Sequence, residues 1–95
     1  MASASGATIG TGAITLYSAS SHEGCTSFLV RCKSGSASSV EVNIPGLHET
    51  GEYLEIEAGV ERIFRRGHCQ IESVTARGKT GNANIIYGVV SKTFK

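Results

Sequence analysis

The sequence predicts an all-β fold: a single small antiparallel β-sandwich or barrel of about seven short strands, with a flexible N-terminal arm. A chain of 95 residues has room for one domain. The 12 glycines interrupt every stretch that could keep a 3.6-residue apolar period, which argues against helices. Short runs rich in β-branched residues recur at regular spacing between Gly, Ser and Asn, as in small sandwiches and barrels.

The first twelve residues differ in composition from the rest of the chain. Residues 1–12 are almost entirely Ala, Ser, Gly and Thr, which predicts a flexible arm or one that becomes ordered only against a partner. The β-sandwich domain is then expected over residues 13–95. A second soft stretch, residues 34–39, is expected to form a loop between two strands.

Seven runs have the length and composition of strands. The clearest alternation is in residues 40–44, where Val40, Val42 and Ile44 are expected to point inward. In the second run, Phe28, Val30 and Cys32 share one predicted face. The predicted strands are residues 13–18, 26–33, 40–44, 53–57, 60–66, 71–77 and 85–90.

Two of these runs depart from simple alternation. In residues 60–66, Ile63 and Phe64 are adjacent, so they cannot both face one core. In residues 85–90 both the odd and the even positions are apolar, which is typical of a central strand covered on both faces.

Composition and charge exclude several partners. The chain is 40% apolar with a net charge of +1, so it is globular and has no strong field for nucleic acid or an anionic membrane. No apolar run approaches the length of about 20 residues that spans a bilayer. The N-terminus lacks the pattern of a secretory signal, so we expect synthesis in a reducing cytoplasm and three unpaired cysteines.

The residues that could carry chemistry do not form a complete site. His22 and Cys25 have the one spacing usable for a metal, and Cys69 beside His68 is the one cysteine in a basic setting. Glu55 and Glu57 share a predicted strand face, but the simpler interpretation is a solvated outer surface. We therefore expect no enzyme activity, no metal ligands and no cofactor.

An acidic segment is followed directly by a basic one. Residues 49–61 hold five of the eight Glu, and Arg62, Arg65 and Arg66 come next. On neighbouring strands these segments would either pair within the chain or provide complementary patches for head-to-tail assembly.

From about residue 40 the pattern resembles the small β-sandwich structural proteins of tailed-bacteriophage virions. The chain is also similar in plan to head-decoration (cement) proteins, in which a flexible arm of small residues precedes a compact β domain. The resemblance implies oligomers that sit on a capsid lattice. The segments that carry it are 42–48 (VNIPGLH), 54–64 around Ala58-Gly59, 71–78 (IESVTARG) and 87–90 (YGVV).

The function expected from these features is that of a non-enzymatic virion structural protein, namely a capsid decoration or stabilising protein. Its partners would be the major capsid protein or another virion protein and further copies of itself, with no nucleic acid and no membrane. The arm would bind by adding a strand to a neighbour's sheet, with Ile9, Ile14 and Leu16 as apolar anchors. The protein would be located in the virion after synthesis in the host cytoplasm.

A carbohydrate- or host-surface-binding β-sandwich module is the alternative. Its sugar-stacking residues would have to be Tyr17, Tyr53 or Tyr87, since the chain has no Trp. The first predicted strand, residues 13–18, has neither charge nor proline to protect a sheet edge. We expect it either to pair with another chain or to be covered by the protein's own arm.

Overall fold

In the part of the chain that the structure describes, eight strands form two four-stranded antiparallel sheets that pack against each other around one apolar core. The computed structural model describes residues 5–19, 23–65 and 71–94. The first sheet has the strand order β1-β8-β3-β6 and the second has the order β2-β7-β4-β5, which confirms the predicted small β-sandwich. The strands are β1 (Ser5–Ile9), β2 (Ile14–Ser18), β3 (Glu23–Cys32), β4 (Val40–Asn43), β5 (Leu54–Ile56), β6 (Glu61–Arg65), β7 (Ser73–Gly78) and β8 (Ala83–Phe94).

Each of the seven predicted runs overlaps one of these strands, although β3, β7 and β8 extend beyond the predicted bounds. The predicted central strand at residues 85–90 is confirmed as part of β8, which lies between β1 and β3 in the first sheet. It is longer than predicted, since β8 extends over Ala83–Phe94. On its outer side Ile86 and Val90 remain half-exposed, so the covering of both faces is incomplete.

The core forms where the inward faces of the two sheets meet. Phe28, Val30 and Cys32 of β3 are buried on the predicted common face, as are Val40 and Val42 of β4. A fully buried Val, Leu, Ile or Phe side chain contributes about 1.5–3 kcal/mol, so this alternation is the main reason that the strands remain paired.

Aromatic rings extend the core around Phe28. The ring of Tyr17 lies 5.5 Å from the Phe28 ring, and the ring of Tyr87 lies 6.3 Å from it on a neighbouring strand. The two adjacent apolar residues of β6 point to opposite faces, as alternation requires: Phe64 is buried and Ile63 faces outward.

The N-terminal segment differs from the expected flexible arm. Residues Ser5–Ile9 form β1, which pairs antiparallel with β8 from Ser5 opposite Tyr87 to Ile9 opposite Ala83. Ile9 is 3% exposed and belongs to the core. Composition indicated flexibility, but pairing with a long neighbouring strand and burial of one isoleucine override that local preference.

Two short crossings connect edge strands of different sheets. Residues 10–13 lead from β1 in the first sheet to β2 in the second, and residues 57–60 lead from β5 back to β6. The second crossing contains Gly59, whose positive φ of 86° is the left-handed conformation that glycine adopts without strain. The first crossing is held by the Gly78 amide, which donates to the Gly10 carbonyl oxygen at 2.7 Å.

Gly78 has no room for a side chain. A Cβ atom there would overlap the carbonyl oxygen of Gly81. We predict that Gly78→Ala lowers the free energy of unfolding by about 1–3 kcal/mol, because the backbone must shift to relieve the overlap. Urea denaturation of both variants measures this, with Gly12→Ala as the control, since nothing lies within 4 Å of a Cβ at Gly12. Equal midpoints for the two variants would contradict the prediction.

Candidate interaction surface

Two edge strands without charge border the same side of the sandwich. Strand β1 ends the strand order of the first sheet and β2 ends that of the second, and residues 10–13 join them directly. Neither SGATI nor ITLYS contains a charged residue or a proline, the usual protections of a sheet edge. We call this surface the β1–β2 side.

The three predicted apolar anchors have different positions on the β1–β2 side. Ile14 is 43% exposed, which leaves its side chain available to a partner. Leu16 is half-buried and packs against the core. Ile9 is buried, so it holds β1 onto its own sandwich and is not available as an anchor for a partner.

Strand β2 is paired along only one edge within the described part of the chain. It pairs with β7, and the register shifts between Thr15 and Tyr17, which marks a bulge or irregularity. The expected cover by the protein's own arm is not found in the described residues, because β1 joins the other sheet. An edge strand in this state presents backbone donors and acceptors to a neighbour.

The predicted basic residues lie away from these anchors. Arg62 and Arg65 are exposed on β6, which is the opposite edge of the first sheet from β1. Arg66 lies outside the described residues. The structure therefore does not bring the basic and apolar candidates into one site. The charges of β6 instead protect the β6 edge of the first sheet from pairing with another strand.

A depression lies beside Arg62, at the crossing from β5 to β6. Its volume is about 310 Å³, and Glu55, Glu57 and Val60 complete its lining. The two glutamates have different environments. Glu55 forms an ion pair with Lys79, whereas Glu57 lies in the exposed crossing to β6.

The outer face of the second sheet carries a polar network. Arg77 Nε lies 2.9 Å from Glu41 Oε1, and Lys79 Nζ lies 2.7 Å from Glu55 Oε1. The Arg77 guanidinium also lies 3.8 Å from the centre of the Tyr53 ring. In the described residues, Glu55 is the one member of the acidic segment that forms an ion pair, and its partner is not one of the predicted arginines.

The ion pair between Lys79 and Glu55 changes the titration of both groups. The hydrogen bond from Lys79 lowers the pKa of the Glu55 carboxyl, and the hydrogen bond to Glu55 raises the pKa of Lys79. Both side chains are exposed, so solvent screens the interaction and its effect on stability is small.

The candidate groups for nucleophilic or metal chemistry are buried or lie outside the described residues. Cys25 and Cys32 are free thiols in the core, and burial raises the pKa of Cys25. His22, His68 and Cys69 lie outside the described residues. Within the described ranges, no three His, Cys or Glu side chains come together as metal ligands. In the same ranges, no helix has the length and apolar character needed to cross a bilayer.

The rings proposed for sugar stacking are engaged within the protein. Tyr17 and Tyr87 are half-buried against Phe28, and Arg77 lies over the ring of Tyr53.

Comparison with protein-family models and with curated proteins finds no match to the chain. Sequence reasoning missed β1 as a strand and gave no role to Leu47, which is exposed although the apolar residues of 42–48 were a visible signal for it. The alternation of residues 53–57 predicts that Leu54 and Ile56 face inward, but only Ile56 is buried and Leu54 is 38% exposed.

We predict that Lys79→Met raises the pKa of the Glu55 carboxyl toward its ordinary value of 4.5, because the hydrogen-bonding cation is removed. In the native protein the lowered pKa of Glu55 stabilises the fold above pH 4.5, and this contribution is lost as the pH falls through the folded-state pKa. NMR titration of the Glu55 carboxyl carbon measures the shift. Lys33→Met is the control, and an unchanged Glu55 titration in Lys79→Met would refute the pairing.

We also predict that Cys25 and Cys32 react with an aromatic disulfide reagent at least about 100-fold more slowly in the native protein than after unfolding. A Cys69→Ser background restricts the measurement to these two thiols, and burial lowers the thiolate fraction of Cys25. Adding Ala37→Cys, at an exposed turn position, provides a fast-reacting control. Rapid labelling of Cys25 or Cys32 in the native state would show that the core does not exclude the reagent.

Proposed function

We propose that this protein is a non-enzymatic structural protein of a tailed-phage virion, which decorates or stabilises the capsid. The β1–β2 side would bind the major capsid protein or another virion protein, and copies of the chain would associate with one another. The observation that carries the proposal is the pair of adjacent, uncharged edge strands on one side of a small sandwich.

Strand addition is the binding mode that this surface supports. A neighbouring extended segment that pairs with β1 or β2 would satisfy backbone donors and acceptors along the edge. The exposed part of Ile14 would become buried in the same contact. Without such a partner, an uncharged edge of this kind favours unspecific pairing and aggregation.

Because β1 is already an ordered strand, the entropy cost of the proposed binding is lower than the sequence predicts. In the sequence-based hypothesis the arm had to become ordered on its partner, at about 1–2 kcal/mol for each residue fixed. Residues Ser5–Ile9 already form a strand in the isolated chain. A partner that pairs with this strand does not have to offset that entropy, so fewer contacts are needed for a given affinity.

The resemblance of residues 40–90 to phage virion sandwiches supports the choice of a capsid as the partner. Location in the virion, after synthesis in the host cytoplasm, follows from the same proposal. The alternative of a sugar- or host-surface-binding module gains no support from the described tyrosines, because each ring already contacts another side chain.

Binding to expanded heads of the phage that encodes the chain tests this function. We predict that the wild-type protein co-sediments with these heads and that Ile14→Lys weakens binding at least about tenfold, because a buried lysine at the edge costs more than 1.4 kcal/mol. Ile14 is 43% exposed, so the free variant should lose less than about 0.5 kcal/mol of stability. Ala37→Lys adds the same charge at an exposed turn and should bind like the wild type.

Two results would contradict the proposal. Wild-type protein that does not bind the heads would remove the capsid as partner. Equal binding by Ile14→Lys and Ala37→Lys would remove the β1–β2 side as the binding surface.

A further inference from the structure

The outer face of the first sheet is apolar at its centre and basic around it. The register places Leu29 on β3 between Ile63 on β6 and Gly88 on β8, so these residues share one face. Leu29 is only 6% exposed although it is not part of the core between the sheets, and Ile63 is 42% exposed. Half-buried Ile86 extends this apolar strip along β8. The exposed apolar surface of this strip belongs to Ile63 and in part to Ile86, and exposed apolar surface with a polar rim is typical of an interaction site.

Among the described side chains, three cations share this face. Arg31 lies opposite Ile86 on β8, and Arg65 follows Ile63 at the next outward position of β6. Lys33 continues the outward series of β3 and reaches over Gly6, where a Cβ would lie 3.8 Å from its Nζ. Glu61 lies opposite Arg31 and is the one carboxylate that the described side chains place here, so their summed charge on this face is positive. We call the set Leu29, Arg31, Lys33, Ile63, Arg65 and Ile86 the basic face.

A turn elsewhere in the chain has the opposite charge. Residues 47–54 cover most of the connection from β4 to β5 and the first residue of β5, and they contain Glu49 and Glu52 but no Lys or Arg. The turn also exposes Leu47 and Leu54, each 38% accessible. We call residues 47–54 the acidic turn. Like the basic face, the acidic turn combines charge with exposed apolar surface, but its charge is negative.

The acidic turn is held in one conformation by its own hydrogen bonds. Asn43 Nδ2 donates to the carbonyl oxygens of Glu49 at 2.9 Å and Glu52 at 2.5 Å. The Glu52 amide donates to the Glu49 carbonyl oxygen at 2.9 Å, and Gly51 between them has a positive φ of 82°. A turn ordered in this way loses little conformational entropy when a partner binds it.

Neither glutamate of the turn forms an ion pair within the described part of the chain, although Glu52 Oε1 accepts a hydrogen bond from the Glu49 amide at 3.4 Å. The ion pairs of the described residues involve Glu41 and Glu55 but neither Glu49 nor Glu52. The turn joins strands of the second sheet, and its His48 ring packs edge-on against Phe64 at 6.1 Å. The basic face is the side of the first sheet that points away from the second sheet.

We propose that the acidic turn of one copy of this chain docks on the basic face of the next copy, so that the protein assembles head to tail. Opposite charges set the orientation, and Leu47 and Leu54 cover the apolar strip around Ile63. A two-fold contact between two basic faces would instead bring like charges together. A heterologous contact leaves one surface of each kind open at the ends, so it closes into a ring or continues along a lattice.

This inference rests on the proposed structural role, because it assigns the surface for self-association that the role requires. The two proposals still fail separately. Self-association is measured on the protein alone, whereas the proposed function is measured by binding to heads. A negative result in one experiment does not change the result of the other.

Complementation between two variants of the full-length chain tests the inference by light scattering over a dilution series. The face variant is Ile63→Gln with Arg65→Gln, and the turn variant is Leu47→Gln with Glu49→Gln. Each variant alone should show a dissociation constant raised at least about tenfold relative to the wild type. An equimolar mixture should form a dimer of twice the 9.9 kDa chain mass, because each variant retains the surface that the other lacks.

Two single variants serve as matched controls. Arg62→Gln removes an arginine from the same strand as Arg65, but at a position opposite Val30 and therefore outside the basic face. Glu57→Gln removes an exposed carboxylate outside the acidic turn. Both should associate like the wild type. Association of the wild type should weaken as salt rises, since the charges lie at the surface.

Three results would overturn the inference. The first is a wild-type chain that stays monomeric at every concentration. The second is unchanged association in both double variants. The third is a mixture that does not form dimers although each variant unfolds at the wild-type urea midpoint, since that outcome indicates a two-fold contact or another surface.

Discussion

The pairing of β3 with β8 is the interaction on which the rest of the sandwich depends. These are the two longest strands, and they form the middle of the first sheet. Their register places Phe28, Val30 and Cys32 beside Val89, Tyr87 and Ile85 on the inward face. Within the described residues, strands β1 and β6 pair only with the outer edges of this pair. The second sheet needs the same inward face to bury its own valines.

Local pattern predicted the strands wherever alternation was strong. Val40 and Val42 are buried as their spacing required, and Ile63 and Phe64 point to opposite sides. Strand β1 was missed because SGATI has little β-propensity of its own, and its pairing depends on β8. Short-range sequence reasoning cannot detect a strand whose stabilising neighbour lies at the other end of the described chain.

The charged residues were predictable as surface residues but not as pairs. The sequence separates Glu55 from Lys79 by more than twenty positions, and only the fold places their charged groups 2.7 Å apart. Ile14 and Arg65 are also far apart in the sequence, and only the strand order shows that they lie on opposite sides of the sandwich. Alternation indicates which side chains face solvent, whereas the strand order decides which of them meet. That order depends on topology, which composition and spacing do not specify.

The strand order of the first sheet has a consequence for the biosynthesis of the protein. Both β1 and β3 pair with β8, whose residues Ala83–Phe94 follow every other strand in the chain. The first sheet therefore cannot be completed until β8 has left the ribosome, although β3 and β6 can pair earlier. Folding governed by such distant contacts is slow. Until β8 is in place, the apolar face of β3 lacks its main partner, and exposed surface of this kind favours aggregation of a nascent chain.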